Sequence, residues 1–245
     1  MGAIFRREMG AFFASPIAYV YLTIYYVFAG VCFYLFTLSR GIADMSGFFS
    51  VLFWAGFLLI PVITMRSFSE EKMKKTEQGL LTAPVSLGGI VLGKYFAALA
   101  MYTIGVAIIF VYALILSFFG TVAWGIVAAN FIALFLLGAA FISVGVFISS
   151  LTENQFIAYI ISLLLIFVMC IVQSLAGFVE SANVPEFFQP IVSVIAAGMN
   201  ALSFYNKFYD FTCGLFDLSS VLFYVSTAAI FNFLTVRVLE TRRWR

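Results

Sequence analysis

The chain has 245 residues, of which 64% are hydrophobic and 10% are charged, and its formal net charge is +2. A soluble domain carries about 25% charged residues, so the composition excludes an ordinary soluble globule and indicates a polytopic membrane protein. The sequence contains no histidine, which excludes His-dependent catalysis and zinc sites of the HExxH kind. Cys32, Cys170 and Cys213 have spacings that suit neither a disulfide framework nor a metal site, and we interpret them as small apolar residues.

The N-terminal residues 2–14 mix aromatic and aliphatic side chains with Arg6 and Arg7, and Pro16 separates them from the first apolar run. This pattern predicts a short amphipathic helix on the cytosolic membrane surface; an ordinary basic flank is the alternative. The first run, Ile17–Leu38, is long enough to cross a bilayer. It is too long for the apolar region of a signal peptide, so we predict that it is retained.

Uncharged apolar runs predict six membrane spans in one transmembrane domain, residues 1–245. Continuous apolar blocks favour helices over the alternating strands of a barrel, so the expected fold class is an all-α polytopic membrane protein. The long uncharged run Tyr95–Thr152 must fold back, and a turn is predicted at Phe118–Thr121. The predicted spans are Ile17–Leu38, Phe48–Met65, Tyr95–Phe119, Val122–Ile148, Phe156–Phe178 and Leu218–Val236.

The segment "RSFSEEKMKKTEQGLLTAPVS" between the second and third spans is dense in charge. Ser67 and Glu70 have capping-box spacing, and we expect Glu70–Lys74 and Glu71–Lys75 to form i,i+4 ion pairs. The sequence therefore predicts a cytosolic helix of about three turns, from Ser67 to near Gln78. Pro84 would prevent the helix from continuing any further. A solvated loop is the alternative, but the mixed charges favour a docking surface.

The stretch "GGIVLGKY" that follows matches a phosphate loop except for its last position, which is Tyr95. A loop of that kind needs Ser or Thr there to reach magnesium, so we predict no ATP site on this chain. Gly89 and Gly93 have the GxxxG spacing that allows close helix packing. We expect Lys94 to mark the cytosolic border of the third span.

The residues between the fifth and sixth spans, Val179–Asp217, are predicted to lie outside. Phe187–Leu202 is apolar but short and contains Pro190, so we expect re-entrant helices in the outer leaflet, covered by protein. Of the 13 Lys and Arg residues, only Arg40 and Lys207 fall on that side. The positive-inside rule then places both termini in the cytosol.

The six predicted spans contain no Asp, Glu, Lys or Arg. An ion-driven carrier or channel usually needs an ionisable group in the membrane, so energy for transport would have to come from a partner. Asn130, Gln173 and Asn232 are the largest polar side chains in the spans and the candidates for a transport pathway. Interhelical hydrogen bonds are the commoner use of such residues.

"RSFSEEKMKKTEQGLLTAPVSLGGIVLGKY" resembles the cytosolic motif of ABC-2 type transporter permeases. "GLFDLSSVLFYVSTAAIFNFLTVRVLETRRW" is similar to the last span of that family, especially its gliding-motility-associated subgroup, and "RREMGAFFASPIAYVY" is similar to its start. The likeness covers essentially the whole chain. Gln78-Gly79 and Lys74-Lys75 depart from the usual residues of the motif.

The resemblance implies a permease of six transmembrane helices that dimerises, as a homo- or heterodimer, in a bacterial inner membrane. A separate ABC ATPase, in two copies, would bind ATP and magnesium and dock on a coupling helix from Ser67 to about Leu81. The chain itself would then be no enzyme and would hold no catalytic residue, metal or cofactor. Its partners would be the ATPase, a second permease and lipids, with no nucleic acid. The resemblance implies coupling contacts at Arg66, Ser67, Phe68, Glu70, Glu71, Lys72, Thr76, Leu80, Leu81 and Pro84.

The family's interfacial helix maps onto Gly2–Ala14 and its re-entrant helices map onto Val179–Asp217. Export is the expected function. The alternative is a scaffold that does not transport but couples an ABC ATPase to an extracytoplasmic partner.

Overall fold

A computed structural model describes residues 1–41, 45–76, 79, 85–181, 194, 197–212, 214 and 217–243. Within those ranges the chain is helical and contains no strand, as expected for an all-α protein. The predicted contacts Leu80, Leu81 and Pro84 lie outside the described residues, as do residues 182–193, 195, 196, 213, 215 and 216 of the predicted re-entrant region Val179–Asp217. The helices are α1 Gly2–Ala14, α2 Pro16–Phe36, α3 Ser46–Thr64, α4 Ser69–Met73, α5 Leu87–Val106, α6 Ile108–Ser117, α7 Trp124–Leu151, α8 Gln155–Ser181, α9 Phe204–Thr212 and α10 Leu218–Arg243.

Six helices in the described part of the chain are long and apolar enough to cross a membrane, which confirms the predicted number of spans. They are α2, α3 continued by α4, α5 continued by α6, α7, α8 and α10. The turn predicted at Phe118–Thr121 lies between the end of α6 and the start of α7. The third span starts earlier than predicted, because the Ser86 hydroxyl accepts a hydrogen bond from Gly89 N–H at 3.2 Å and caps α5 at Leu87.

A break at Ala107 divides the third span into α5 and α6, which the sequence did not predict. The Ile104 carbonyl, just before the break, accepts a hydrogen bond from the Tyr26 hydroxyl at 3.0 Å. The Tyr112 hydroxyl, beyond the break, donates to the Tyr26 carbonyl at 3.3 Å. Backbone groups freed inside a membrane must find partners, and the Tyr26 hydroxyl of α2 supplies one for the Ile104 carbonyl.

Helix α7 is the central helix of the bundle. Of its most apolar stretch of 18 residues 72% is buried inside the protein, whereas the corresponding share is 22% in α8 and in α10. Its glycines let neighbouring helices approach closely. A Cβ on Gly138 would lie 2.1 Å from the Tyr102 ring, and a Cβ on Gly145 would lie 2.1 Å from Thr64 Oγ1. These positions exclude any side chain unless the helices separate.

Gly145→Ala should lower the free energy of unfolding by about 1–3 kcal/mol, the usual range for overpacking a dense core. Gly125→Ala is the matched control, because it lies in the same helix and a Cβ there would have no atom within 4 Å. The control should be neutral or slightly stabilising, since Ala favours helix over Gly. Thermal unfolding in detergent micelles measures both; equal effects at the two positions would contradict the packing argument.

The predicted N-terminal helix is confirmed as α1, with the bounds Gly2–Ala14. Ser15 follows the helix directly. Its hydroxyl accepts a hydrogen bond from Ile17 N–H at 3.2 Å and so caps the start of α2. On its other side it packs against α5: a Cβ on Gly93 would lie 2.8 Å from Ile4. The GxxxG pair thus does allow close packing, and its partner there is α1. The location of α1 on a membrane surface stays a prediction.

Helix α9 is the well-described part of the region between the fifth and sixth spans. It buries Phe204, Phe208 and Phe211 among α3, α7 and α8. The Tyr224 hydroxyl of α10 donates to the Phe204 carbonyl at 2.9 Å. After α9, Asp217 caps α10 by accepting the N–H groups of Ser219 and Ser220, and these bonds hold the pKa of its carboxyl below its usual value.

Candidate functional site

The charged segment between α3 and α5 contains a helix much shorter than predicted. Helix α4 covers only Ser69–Met73, so the prediction of three turns from Ser67 to near Gln78 is wrong in the described part. Lys75 has φ 55°, in the left-handed region. Its N–H bonds to the Lys72 carbonyl while Thr76 N–H bonds to the Glu71 carbonyl. This is the Schellman pattern, which ends the helix here.

The helix is also capped differently from the prediction. Its N-cap residue is Phe68, and no side chain of the segment itself caps it, so the Ser67–Glu70 capping box is wrong. Instead, Ser149 of α7 accepts the N–H groups of Phe68 at 3.0 Å and Ser69 at 3.1 Å. The same hydroxyl donates to the Met65 carbonyl at 3.1 Å. A hydroxyl about 80 positions away in sequence satisfies the backbone, which no local pattern reveals.

A buried lysine joins this segment to α1 and α5. Lys94, whose side chain is only 2% exposed, lies 3.0 Å from Glu71 and 3.1 Å from Glu8. It donates to the Ser67 carbonyl at 2.6 Å, and its ammonium lies 5.1 Å from the centroid of the Phe68 ring. Lys94 therefore lies inside α5, and its place at the cytosolic border of the membrane stays a prediction. Its charge is tolerated because two carboxylates and a carbonyl surround it.

Arg7 of α1 completes the arrangement, which we call the Lys94 cluster: Arg7, Glu8, Glu71 and Lys94. Arg7 pairs with Glu71 at 2.6 Å and with Glu8 at 2.7 Å. Its hydrogen bond to Glu8, with the charge of Glu71, raises the pKa of its guanidinium. Glu71 thus pairs with Arg7 and Lys94, whereas the prediction paired it with Lys75. The cluster joins three elements that are far apart in sequence.

Glu70 lies beside the cluster and does form its predicted pair, with Lys74 at 2.7 Å. It also accepts a hydrogen bond from Arg66 at 2.8 Å, and Arg66 reaches Ser15 at 3.3 Å. A cavity of about 60 Å³ lies among Glu8, Arg66, Glu70 and Lys94. It is far smaller than a ligand pocket, which typically has at least about 300 Å³. These charges therefore fix the segment and do not form a ligand site.

The predicted coupling residues fall into two groups. Lys72 is buried and donates to the Ser150 carbonyl near the end of α7, where the helix dipole favours a cation. Ser67 and Phe68 are buried too, while Arg66, Glu70 and Glu71 are half-buried. The exposed edge of the segment is the run Met73, Lys74, Lys75 and Thr76. Of the predicted contacts described by the structure, only Thr76 lies on that edge.

A sequence profile described as "ABC-2 family transporter protein" matches residues 38–241, most of the chain. The chain belongs to the ABC-2 family. ABC-2 proteins of this kind are the permease subunits of ABC transporters, the membrane component and not the ATPase. Comparison with curated protein sequences finds no significant match. The charged segment and the Lys94 cluster, apart from Arg7 and Glu8, lie within the matched range.

The three candidate pathway residues of this ABC-2 protein lie on three different helices. Asn130 of α7 is fully buried; it donates to the Ile126 carbonyl at 2.9 Å and accepts from Thr212 of α9 at 3.2 Å. Gln173 is half-buried on α8. Asn232 of α10 is buried and donates to the Ala228 carbonyl at 2.8 Å. The Asn130–Thr212 bond is the interhelical use that polar residues commonly have in membranes.

Metal sites are absent from the described part of the chain, where no three His, Cys, Asp or Glu residues group together. Cys32 and Cys170 are buried free thiols.

Proposed function

We propose that this ABC-2 protein is the permease subunit of an ABC exporter and that its ATPase docks on the exposed edge, residues 73–76. The observation that carries the proposal is the contrast between the two sides of this segment. Its inner side is tied to α1, α5 and α7 by the Lys94 cluster, Ser149 and Lys72. Its outer side is solvent-exposed and contains the two lysines Lys74 and Lys75.

The mechanism follows from that contrast. The partner binds ATP and magnesium, and its nucleotide-driven movement pushes on the exposed edge. The ion pairs and hydrogen bonds on the inner side of the segment transmit this movement to α1, α5 and the central helix α7. ATP thereby favours one arrangement of the bundle over the other. Leu80, Leu81 and Pro84 extend the proposed docking surface as sequence-based predictions.

The proposed assembly has two ATPase subunits and two permease subunits in a bacterial inner membrane. Both termini face the cytosol, in keeping with the basic residues at that end of the bundle. Export and membership of the gliding-motility-associated subgroup rest on the sequence resemblance. The six spans predicted from the sequence contain no charged residue, which agrees with an energy source outside this chain.

Placing negative charge on the exposed edge should weaken docking. Met73→Glu combined with Lys75→Glu changes two exposed side chains that form no ion pair with any other described residue. Co-purification of the partner ABC ATPase should fall at least about tenfold, which corresponds to about 1.4 kcal/mol. Lys207→Glu, predicted to lie on the outer side, is the matched charge-reversal control and should bind normally. Undiminished ATPase recovery with the Met73/Lys75 variant would refute the docking site.

A further inference from the structure

A lateral groove of about 400 Å³ opens between α5 and α10 on the flank of the bundle. Its volume falls within the usual range of ligand pockets, about 300–1,000 Å³. Its lining is almost wholly apolar, with a single amide side chain, Asn232, among aliphatic and aromatic neighbours. The lining residues include Val91, Leu92, Tyr95, Val225, Ala229 and Phe233. Both helices are membrane spans, so the groove faces lipid.

Asn232 has an unfilled hydrogen-bonding requirement in this groove. Its side chain is 8% exposed, and its Nδ2 donates to the Ala228 carbonyl at 2.8 Å. That bond fixes the orientation of the amide, because a flipped amide would set two oxygens against each other. Oδ1 is then left buried without a partner within the described residues. Buried acceptors of this kind normally have a hydrogen-bond partner. A molecule bound in the groove is therefore expected to donate a hydrogen bond to Asn232 Oδ1.

The depth of Asn232 restricts which donors can reach it. Arg237 lies one and a half turns further along α10, about 7.5 Å along the axis, and its exposed guanidinium pairs with Glu240 and covers the Phe233 ring. An arginine at the end of a span anchors at the interface. Asn232 therefore lies at the level where acyl chains begin. The ester carbonyls of an ordinary phospholipid lie at that level, but they are acceptors and cannot satisfy Oδ1.

We propose that the α5–α10 groove binds one membrane lipid that carries a free hydroxyl or amide N–H next to its acyl chain. The acyl chain occupies the apolar groove, and the hydroxyl or amide group donates to Asn232 Oδ1. Diacylglycerols and ceramides have this chemistry. The site is separate from the proposed docking edge, since its lining shares no residue with the charged segment or the Lys94 cluster.

The test compares two photoreactive probes on the full-length chain in dioleoylphosphatidylcholine nanodiscs, a lipid with no hydrogen-bond donor. One probe is a diacylglycerol with a diazirine in one acyl chain, and the other is the same molecule with its hydroxyl acetylated. Mass spectrometry locates the labelled peptides. We expect the free-hydroxyl probe to label the α5 and α10 groove peptides about two- to tenfold more, the range for one net hydrogen bond.

Variants separate the hydrogen bond from the shape of the groove. Asn232→Leu should remove the difference between the two probes, and Ala229→Trp should block both by filling the groove. Ile230→Trp, an exposed position on α10 outside the groove, should change neither. Equal labelling by the two probes of the unmodified chain would overturn the proposal, because Oδ1 would then be satisfied by water. Unchanged labelling of the Ala229→Trp variant would overturn it as well.

Discussion

Lys94→Met should destabilise the protein by about 3 kcal/mol, the low end of the range for breaking a buried ion pair. Methionine keeps the length of the side chain but removes the ammonium that lies 3.0–3.1 Å from Glu71 and Glu8. Both carboxylates, each 17% exposed, would then depend on Arg7 alone. The loss stays at the low end because Arg7 still neutralises part of their charge. Thermal unfolding in detergent micelles, followed by tryptophan fluorescence, measures the change.

Arg237→Met is the matched control, since Arg237 also pairs with a glutamate but is 61% exposed. An exposed pair contributes about 0–1 kcal/mol, so this variant should unfold close to the unmodified protein. Adding Glu8→Gln and Glu71→Gln to Lys94→Met removes the unpaired charges and should recover part of the lost stability. A Lys94→Met protein as stable as the Arg237→Met protein would show that the Lys94 cluster does not hold the segment to α1 and α5.

The sequence predicted the features that depend on local composition and spacing. Apolar runs indicated the six spans, the mixture of charge and aromatic residues indicated α1 with its bounds, and i,i+4 spacing indicated the Glu70–Lys74 pair. Each of these depends on residues close together in the chain. In such cases the hydrophobic effect or a neighbouring helical turn decides the outcome with little help from the rest of the fold.

The candidate site was less predictable, because its main interactions cross between helices. Glu71 is within reach of Lys75 along an ideal helix, but Arg7 and Lys94 offer it a buried and more strongly charged environment. The capping box failed for a similar reason: the N-terminal end of α4 is capped by Ser149 of another helix, which accepts the N–H groups of Phe68 and Ser69, and not by Ser67. The one local sign was Lys94 itself, a charge that is expensive to bury and therefore demands partners.

Ser149→Ala should lower the free energy of unfolding by about 2–6 kcal/mol. The substitution leaves the N–H groups of Phe68 and Ser69 without their acceptor in a buried place. Each buried group left unpaired costs about 1–3 kcal/mol, and the small volume change of serine to alanine adds little. Ser143→Ala is the matched control in the same helix. Within the described part of the chain the Ser143 hydroxyl bonds only to the Ala140 carbonyl of its own turn, so its removal should have a much smaller effect.

Hydrogen exchange gives this prediction a local measurement that general destabilisation would not reproduce. In Ser149→Ala, the amides of Phe68 and Ser69 should exchange at least about tenfold faster, since each 1.4 kcal/mol of lost local protection is a factor of about ten. Amides in the middle of α7 should change far less. Unaltered exchange at Phe68 and Ser69 would mean that Ser149 does not cap α4. If exchange does rise while the ATPase still co-purifies, docking on the exposed edge does not depend on Ser149, because the docking residues are untouched and only one of the two connections to the central helix is lost, the Lys72 bond to the Ser150 carbonyl remaining.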